Sequence, residues 1–131
     1  MQKQKFCVRV VFLLVLTFLF VTHLWANEPV VMINAKPIEN QSTNYEIIIT
    51  VYHDSKGRSH YIDRVVLLLN EEPVKVWQFS QKDSPKDFPF TLKESIKISA
   101  HGPSIVAVKA NCRSHGESAR VSLQIIPGKS Y

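Results

Sequence analysis

The sequence predicts an all-β fold for the part of the chain that follows residue 26. Seven or eight short segments rich in β-branched and aromatic residues recur at a spacing of roughly 8–15 residues. Turn-forming residues separate them, and no window in this part has the apolar period of an amphipathic helix. Together these observations predict an immunoglobulin-like β-sandwich of about seven or eight antiparallel strands.

The strands can be placed individually from their composition. Residues 45–52 and 62–69 are dense in isoleucine, valine and leucine, and residues 74–79 alternate between two faces. Turns are predicted at 55–57, 84–85 and 102–103, where serine, glycine and proline gather. The remaining predicted strands are 30–33, 88–92, 96–100, 105–110 and 120–126.

The N-terminal residues differ in character from the rest of the chain. Lys3, Lys5 and Arg9 form a basic start, residues 10–24 are almost wholly apolar, and Ala26 follows. This order is typical of an export signal. We therefore predict a helical signal peptide over residues 1–26, with an uncleaved membrane anchor as the alternative. Residues 27–131 would form one domain that is periplasmic or otherwise exported.

Charge and cysteine content limit the function classes. The formal net charge is +5, but without Lys3, Lys5 and Arg9 the domain has 13 basic and 11 acidic residues, a net charge of +2. This balance predicts no nucleic-acid partner, because such proteins carry a clustered basic face. Cys112 is the only cysteine after residue 26, so an exported domain cannot pair it internally.

Two histidines flank a short predicted loop. His53 ends the strand 45–52, and His60 precedes the strand 62–69. Two strands joined by a short loop are most simply antiparallel neighbours. We therefore expect both imidazoles at the same end of the sandwich.

A thiol and a third imidazole follow the predicted strand 105–110. Cys112 and His115 are three residues apart, so one loop presents two metal-binding groups. If strand 105–110 runs parallel in space to strand 45–52, this loop reaches the rim that holds His53. His101 precedes the same strand, about 20 Å away at 3.3 Å per residue, and is excluded as a ligand. A buried free cysteine and ordinary loop histidines remain the alternatives to a metal site.

These segments resemble a known family. Asn111-Cys112-Arg113-Ser114-His115-Gly116 resembles the Cys-Asn-x-His-Gly loop of the desulfoferrodoxin/neelaredoxin family, the superoxide reductases. His60-Tyr61-Ile62 resembles that family's His-Tyr-Ile segment, and His53 stands where the family has another histidine. The resemblance covers residues 45–126 and is nearest to exported single-domain members, in which these features recur in the same order: Trp77 with Phe79, the proline-rich stretch 85–90, and Gly102-Pro103.

The resemblance implies an immunoglobulin-like sandwich that holds one non-haem iron. Cys112 would be the axial ligand and a catalytic residue, with His53, His60 and His115 as equatorial ligands. Superoxide would be the substrate, reduced to hydrogen peroxide with electrons from an unidentified donor. Independently of the resemblance, Lys56 and Arg58 lie in the loop between the two histidines and could attract the anion or order water for protonation, although a solvated turn is their ordinary interpretation. The sequence does not decide whether the protein forms a homo-oligomer.

The chain also departs from the family pattern. No histidine lies within residues 27–52 to act as a fourth equatorial ligand, and the usual His-Pro-Met is replaced by His53-Asp54-Ser55. A non-catalytic exported module, binding a metal for stability or a protein partner, is therefore the main alternative. A copper electron carrier is a further one, but it usually needs a methionine after the last histidine, and the only methionines are Met1 and Met32.

Overall fold

The computed structural model describes residues 28–54 and 59–129, which form eight β-strands. The predicted signal peptide over residues 1–26 lies outside this part. No helix within the described ranges is long and apolar enough to cross a membrane. The strands are β1 (Val30–Ile38), β2 (Gln41–Tyr52), β3 (Ile62–Leu69), β4 (Glu72–Gln78), β5 (Phe90–Lys97), β6 (Ser104–Cys112), β7 (Gly116–Glu117) and β8 (Val121–Ile125).

The strands form two antiparallel sheets. One has the order β1-β2-β5, and the other has the order β4-β3-β6 with β7 and β8 both paired to the free edge of β6. The predicted immunoglobulin-like β-sandwich is thereby confirmed. The predicted segments 88–92 and 96–100 contribute to a single strand, β5, which covers Phe90–Lys97, and the two-residue strand β7 was not predicted.

The core lies between the sheets and follows from alternation along the central strands. In β2 the side chains of Tyr45, Ile47, Ile49 and Val51 are fully buried, while the residues between them face outward. They pack with inward residues of the other sheet: Val65, Leu67, Val106, Val108 and Ala110. The period of two therefore places the apolar half of each strand in one continuous core.

The connection between β2 and β3 differs from the prediction. The two strands were expected to be neighbours, but they lie in different sheets. Both hydrogen-bonding edges of β2 are occupied by β1 and β5, and both edges of β3 by β4 and β6. The chain must therefore cross from one sheet to the other after β2, and this crossing lies at the end of the sandwich that holds the candidate site.

Candidate metal centre

Four side chains from three segments converge at this end of the sandwich. His53 follows β2, His60 precedes β3, and Cys112 and His115 come from the end of β6 and the turn after it. Their four potential ligand atoms all lie within 4.8 Å of one another. The structure therefore brings together the four residues that the sequence analysis names as candidate ligands, although that analysis placed β2 and β3 in one sheet.

Backbone pairing fixes the turn that carries Cys112 and His115. Cys112 pairs with Ile62 on one side and with Gly116 on the other. Gly116 has a φ of 86°, which L side chains rarely adopt. A glycine at this position lets the chain reverse immediately after His115 and return as β7.

Two hydrogen bonds join this turn to the segment around His60. The Arg113 backbone N–H donates to the Tyr61 carbonyl oxygen at 2.9 Å. The Ser114 hydroxyl donates to the Ser59 carbonyl oxygen at 2.7 Å. The two acceptors flank His60 in the chain and the two donors lie between Cys112 and His115, so the bonds hold His60 beside His115.

The three imidazoles pack edge to face around His60. The ring centroids of His60 and His115 are 4.3 Å apart at an interplanar angle of 89°, and those of His53 and His60 are 4.5 Å apart at 84°. The Cys112 Sγ lies 3.8 Å from His115 Nδ1, and Cys112 is 1% exposed. This arrangement brings three nitrogen donors and one sulfur donor to one partly buried site.

His53 has the most unusual environment in the cluster. Its side chain is 8% exposed, and both ring nitrogens are buried without a hydrogen-bond partner in the described part of the chain. Burial, followed by the charges of His60 and His115, lowers the pKa of His53 to about 4, while Asp54 acts in the opposite direction. Buried polar atoms are normally paired, so the unpaired nitrogens fit a site built for a metal ion.

Phe88 is a site residue that the sequence analysis did not assign. Its ring centroid lies 5.8 Å from that of His53 and 5.4 Å from that of Phe90. It was expected to begin a strand, but it precedes β5 and forms part of the rim. Its adjacency to Pro89 is a turn signal that could have placed it outside the strand.

A cleft of about 380 Å³ opens beside His53. Its walls combine apolar and acidic side chains: Glu28, Val30, Tyr52, Asp54 and the Phe88-Pro89 pair. His53 is the cluster residue that also lines this cleft. The cleft and the cluster therefore share one imidazole.

The other predicted residues have separate outcomes. His101 is exposed in the turn before β6 and does not belong to the cluster, as expected. Lys56, the predicted anion-attracting residue, lies outside the described ranges. Met32 is 57% exposed on the outer face of β1, so it is not placed to be the axial ligand that a copper carrier needs.

Comparisons with known proteins give little beyond the fold. No protein-family model matches the chain, and no curated protein matches it significantly. A solved structure of fibronectin(III)-like modules of Clostridium thermocellum CbhA has 17% sequence identity and a TM-score of 0.40, covering 76% of this chain and 100% of that one. The desulfoferrodoxin resemblance therefore stays a prediction, and function must be argued from the cluster.

Proposed function

We propose that this domain binds a single transition-metal ion between His53, His60, His115 and Cys112, and that the ion is an iron used to reduce superoxide. The observation that carries the proposal is the convergence of four donor atoms within 4.8 Å of one another. The pair His53 and His60 and the pair at 112 and 115 are distant in the sequence, so local structure alone does not bring them together.

The chemistry of the donors supports a transition metal. Imidazole nitrogens suit iron, zinc, copper and nickel, whereas calcium and magnesium prefer oxygen ligands. A buried cysteine becomes a strong ligand when a metal displaces its proton. When bound, iron(II) would supply the single electron that, with two protons, converts superoxide to hydrogen peroxide.

The residues of the chain would orient and shield the ion. The hydrogen bonds from Arg113 and Ser114 fix the turn that carries Cys112 and His115. Burial of Cys112 keeps bulk water from its sulfur. Phe88 packs against His53 and limits the positions that this ring can adopt.

The charge of the cleft bears on how a substrate would arrive. Glu28 and Asp54 line it, and both are exposed. Carboxylates repel an anion, so superoxide would reach the cluster from another side. An external electron donor and an exported location belong to the same proposal.

The test is metal analysis and spectroscopy of protein purified and loaded with iron(II) under anaerobic conditions. We expect about one iron per chain, a sulfur-to-iron charge-transfer band after oxidation, and loss of that band in Cys112→Ser. His101→Ala is the matched control, because His101 lies outside the cluster. Superoxide should then be consumed with formation of peroxide and no release of oxygen. An iron-loaded protein that leaves superoxide unchanged would refute the enzymatic part.

A structural zinc site is the second candidate, and the number of ligands favours it. Four protein ligands complete the tetrahedral coordination of structural zinc and leave no open position. The protein would then be a non-catalytic module stabilised by its metal. One redox-silent zinc per chain, retained after purification without added metal, would select this function over superoxide reduction.

A further inference from the structure

The cleft beside His53 has the composition of a cation-collecting surface. The described residues that line it include two carboxylates and no lysine or arginine. Apart from His53, the rest of the wall is mainly apolar and is formed by Val30, Tyr52 and the Phe88-Pro89 pair. Clefts with charge of one sign and walls of low dielectric constant concentrate the electric field and raise the local concentration of the opposite ion.

The strand register explains why the two carboxylates face the same space. Val30 of β1 pairs with Tyr52 of β2 in an antiparallel ladder. Continuing this register by two residues brings Glu28 opposite Asp54, and neighbouring strands lie about 5 Å apart. Both residues line the cleft, one from each strand end.

His53 is the independent observation that points to a cation at this cleft. It is more than nine-tenths buried, its nitrogens lack hydrogen-bond partners within the described ranges, and it belongs to both the cleft wall and the cluster. A cation held by carboxylates in the cleft would therefore meet an imidazole that is already a member of the inner site.

We propose that this cleft is the route by which a divalent cation enters the His/Cys cluster, with Glu28 and Asp54 capturing the ion before His53 receives it. The inference rests on the proposed metal-binding function and adds how the site is loaded. Neither carboxylate belongs to the cluster itself. The two residues therefore act on the rate of loading, whereas the four cluster residues retain the ion.

The experiment measures the rate at which the metal-free protein takes up Co²⁺, followed by stopped-flow absorbance of the sulfur-to-cobalt band. The variant is the pair Glu28→Gln with Asp54→Asn, which preserves side-chain size and removes both charges. The matched control is Glu39→Gln, an exposed acid beyond the far end of β1. A nine-residue strand separates it from the cleft by about 30 Å at 3.3 Å per residue.

We expect the association rate constant of the paired variant to fall about tenfold at low salt, since charged clefts accelerate association by roughly this factor or more. The difference should shrink at 0.5 M salt because screening shortens the range of the field. The final stoichiometry should stay at one cobalt per chain, which also shows that the variant is folded. Glu39→Gln should load at the wild-type rate.

Two results would overturn the inference, and they are distinguishable. Equal loading rates for the paired variant and the wild type, or equal slowing in Glu39→Gln, would exclude a special role for the cleft and leave metal binding intact. Failure of the wild type to bind Co²⁺ at all would remove both this inference and the metal centre.

Discussion

Replacing His53 with leucine should stabilise the metal-free protein and remove most of its stabilisation by zinc. In the metal-free protein the two His53 nitrogens are buried without hydrogen-bond partners in the described part of the chain. A buried polar group left unpaired costs about 1–3 kcal/mol. Leucine removes these atoms and keeps an apolar contact with Phe88, so the metal-free variant should gain stability.

The size of the effect follows from domain thermodynamics. For a domain of about 100 residues the unfolding entropy is about 0.2 kcal/mol/K, so a gain of about 1–3 kcal/mol raises Tm by about 5–15 °C. A ligand present at 100 times its Kd stabilises the folded state by about 2.7 kcal/mol, or about 13 °C. Wild type should therefore gain stability with zinc, and His53→Leu should lose most of that response.

Differential scanning calorimetry measures the Tm of the wild type and of His53→Leu, each with and without zinc. His101→Leu is the control, because His101 is exposed outside the cluster and its replacement should leave Tm and the zinc response unchanged. A metal-free His53→Leu protein that melts well below the wild type would refute the reasoning. That result would mean that the His53 ring stabilises the metal-free protein through its contacts by more than its unpaired nitrogens destabilise it.

Three further predictions test the site and the fold. Because the pKa of His53 is lowered to about 4 from 6.5, the unfolded chain binds a proton more readily, and the metal-free protein should lose stability as pH falls from 6.5 to 4. Urea titrations across that pH range measure the free energy of unfolding. In His53→Leu this free energy should vary less with pH. Tyr45→Phe should lower the free energy of unfolding by about 1 kcal/mol, since the buried hydroxyl faces two carbonyl oxygens of the C-terminal segment at 3.2 and 3.4 Å. Replacing the exposed Tyr52 with phenylalanine should not change the free energy of unfolding measured by chemical denaturation. Equal losses of stability in the two variants would contradict a stabilising hydrogen bond from the Tyr45 hydroxyl. Gly116→Ala should lower the free energy of unfolding by about 1–2 kcal/mol, because residue 116 has a positive φ. The same variant should bind zinc more weakly, as measured by competition with a chelator. Gly102→Ala, where a Cβ meets nothing within 4 Å, should leave both quantities unchanged.

The sequence predicted those features that depend on local pattern. The strand over residues 62–69 begins and ends as predicted, and its apolar run stops at the turn that starts with Asn70. The cluster was predicted because each of its members stands next to a strand end, and strand ends meet at the rims of a sandwich. The exclusion of His101 followed from the length of β6 alone.

Features that depend on pairing partners were missed. Nothing near residues 53–60 indicates that both edges of β2 are occupied, so the crossing between the sheets was not predicted. Strand β5 was divided because Lys93, Glu94 and Ser95 interrupt its apolar pattern. In the structure β5 lies at the edge of its sheet, where polar side chains stay hydrated. The Glu94 Oε2 atom lies 3.5 Å from Nζ of Lys75 in β4. The cleft was also missed, since Glu28 and Asp54 are brought to one cleft only by the pairing of β1 with β2.

The crossing between the sheets gives a bound ion a mechanical role. His53 extends from the three-stranded sheet, whereas Cys112 and His115 extend from the five-stranded one. An ion held by all of them would clip the two layers together at one end, as the inter-sheet disulfide does in antibody domains. A domain with one cysteine cannot form that disulfide within its own chain. Under a pulling force, the layers of the loaded protein would come apart at this end only after a metal–ligand bond had broken.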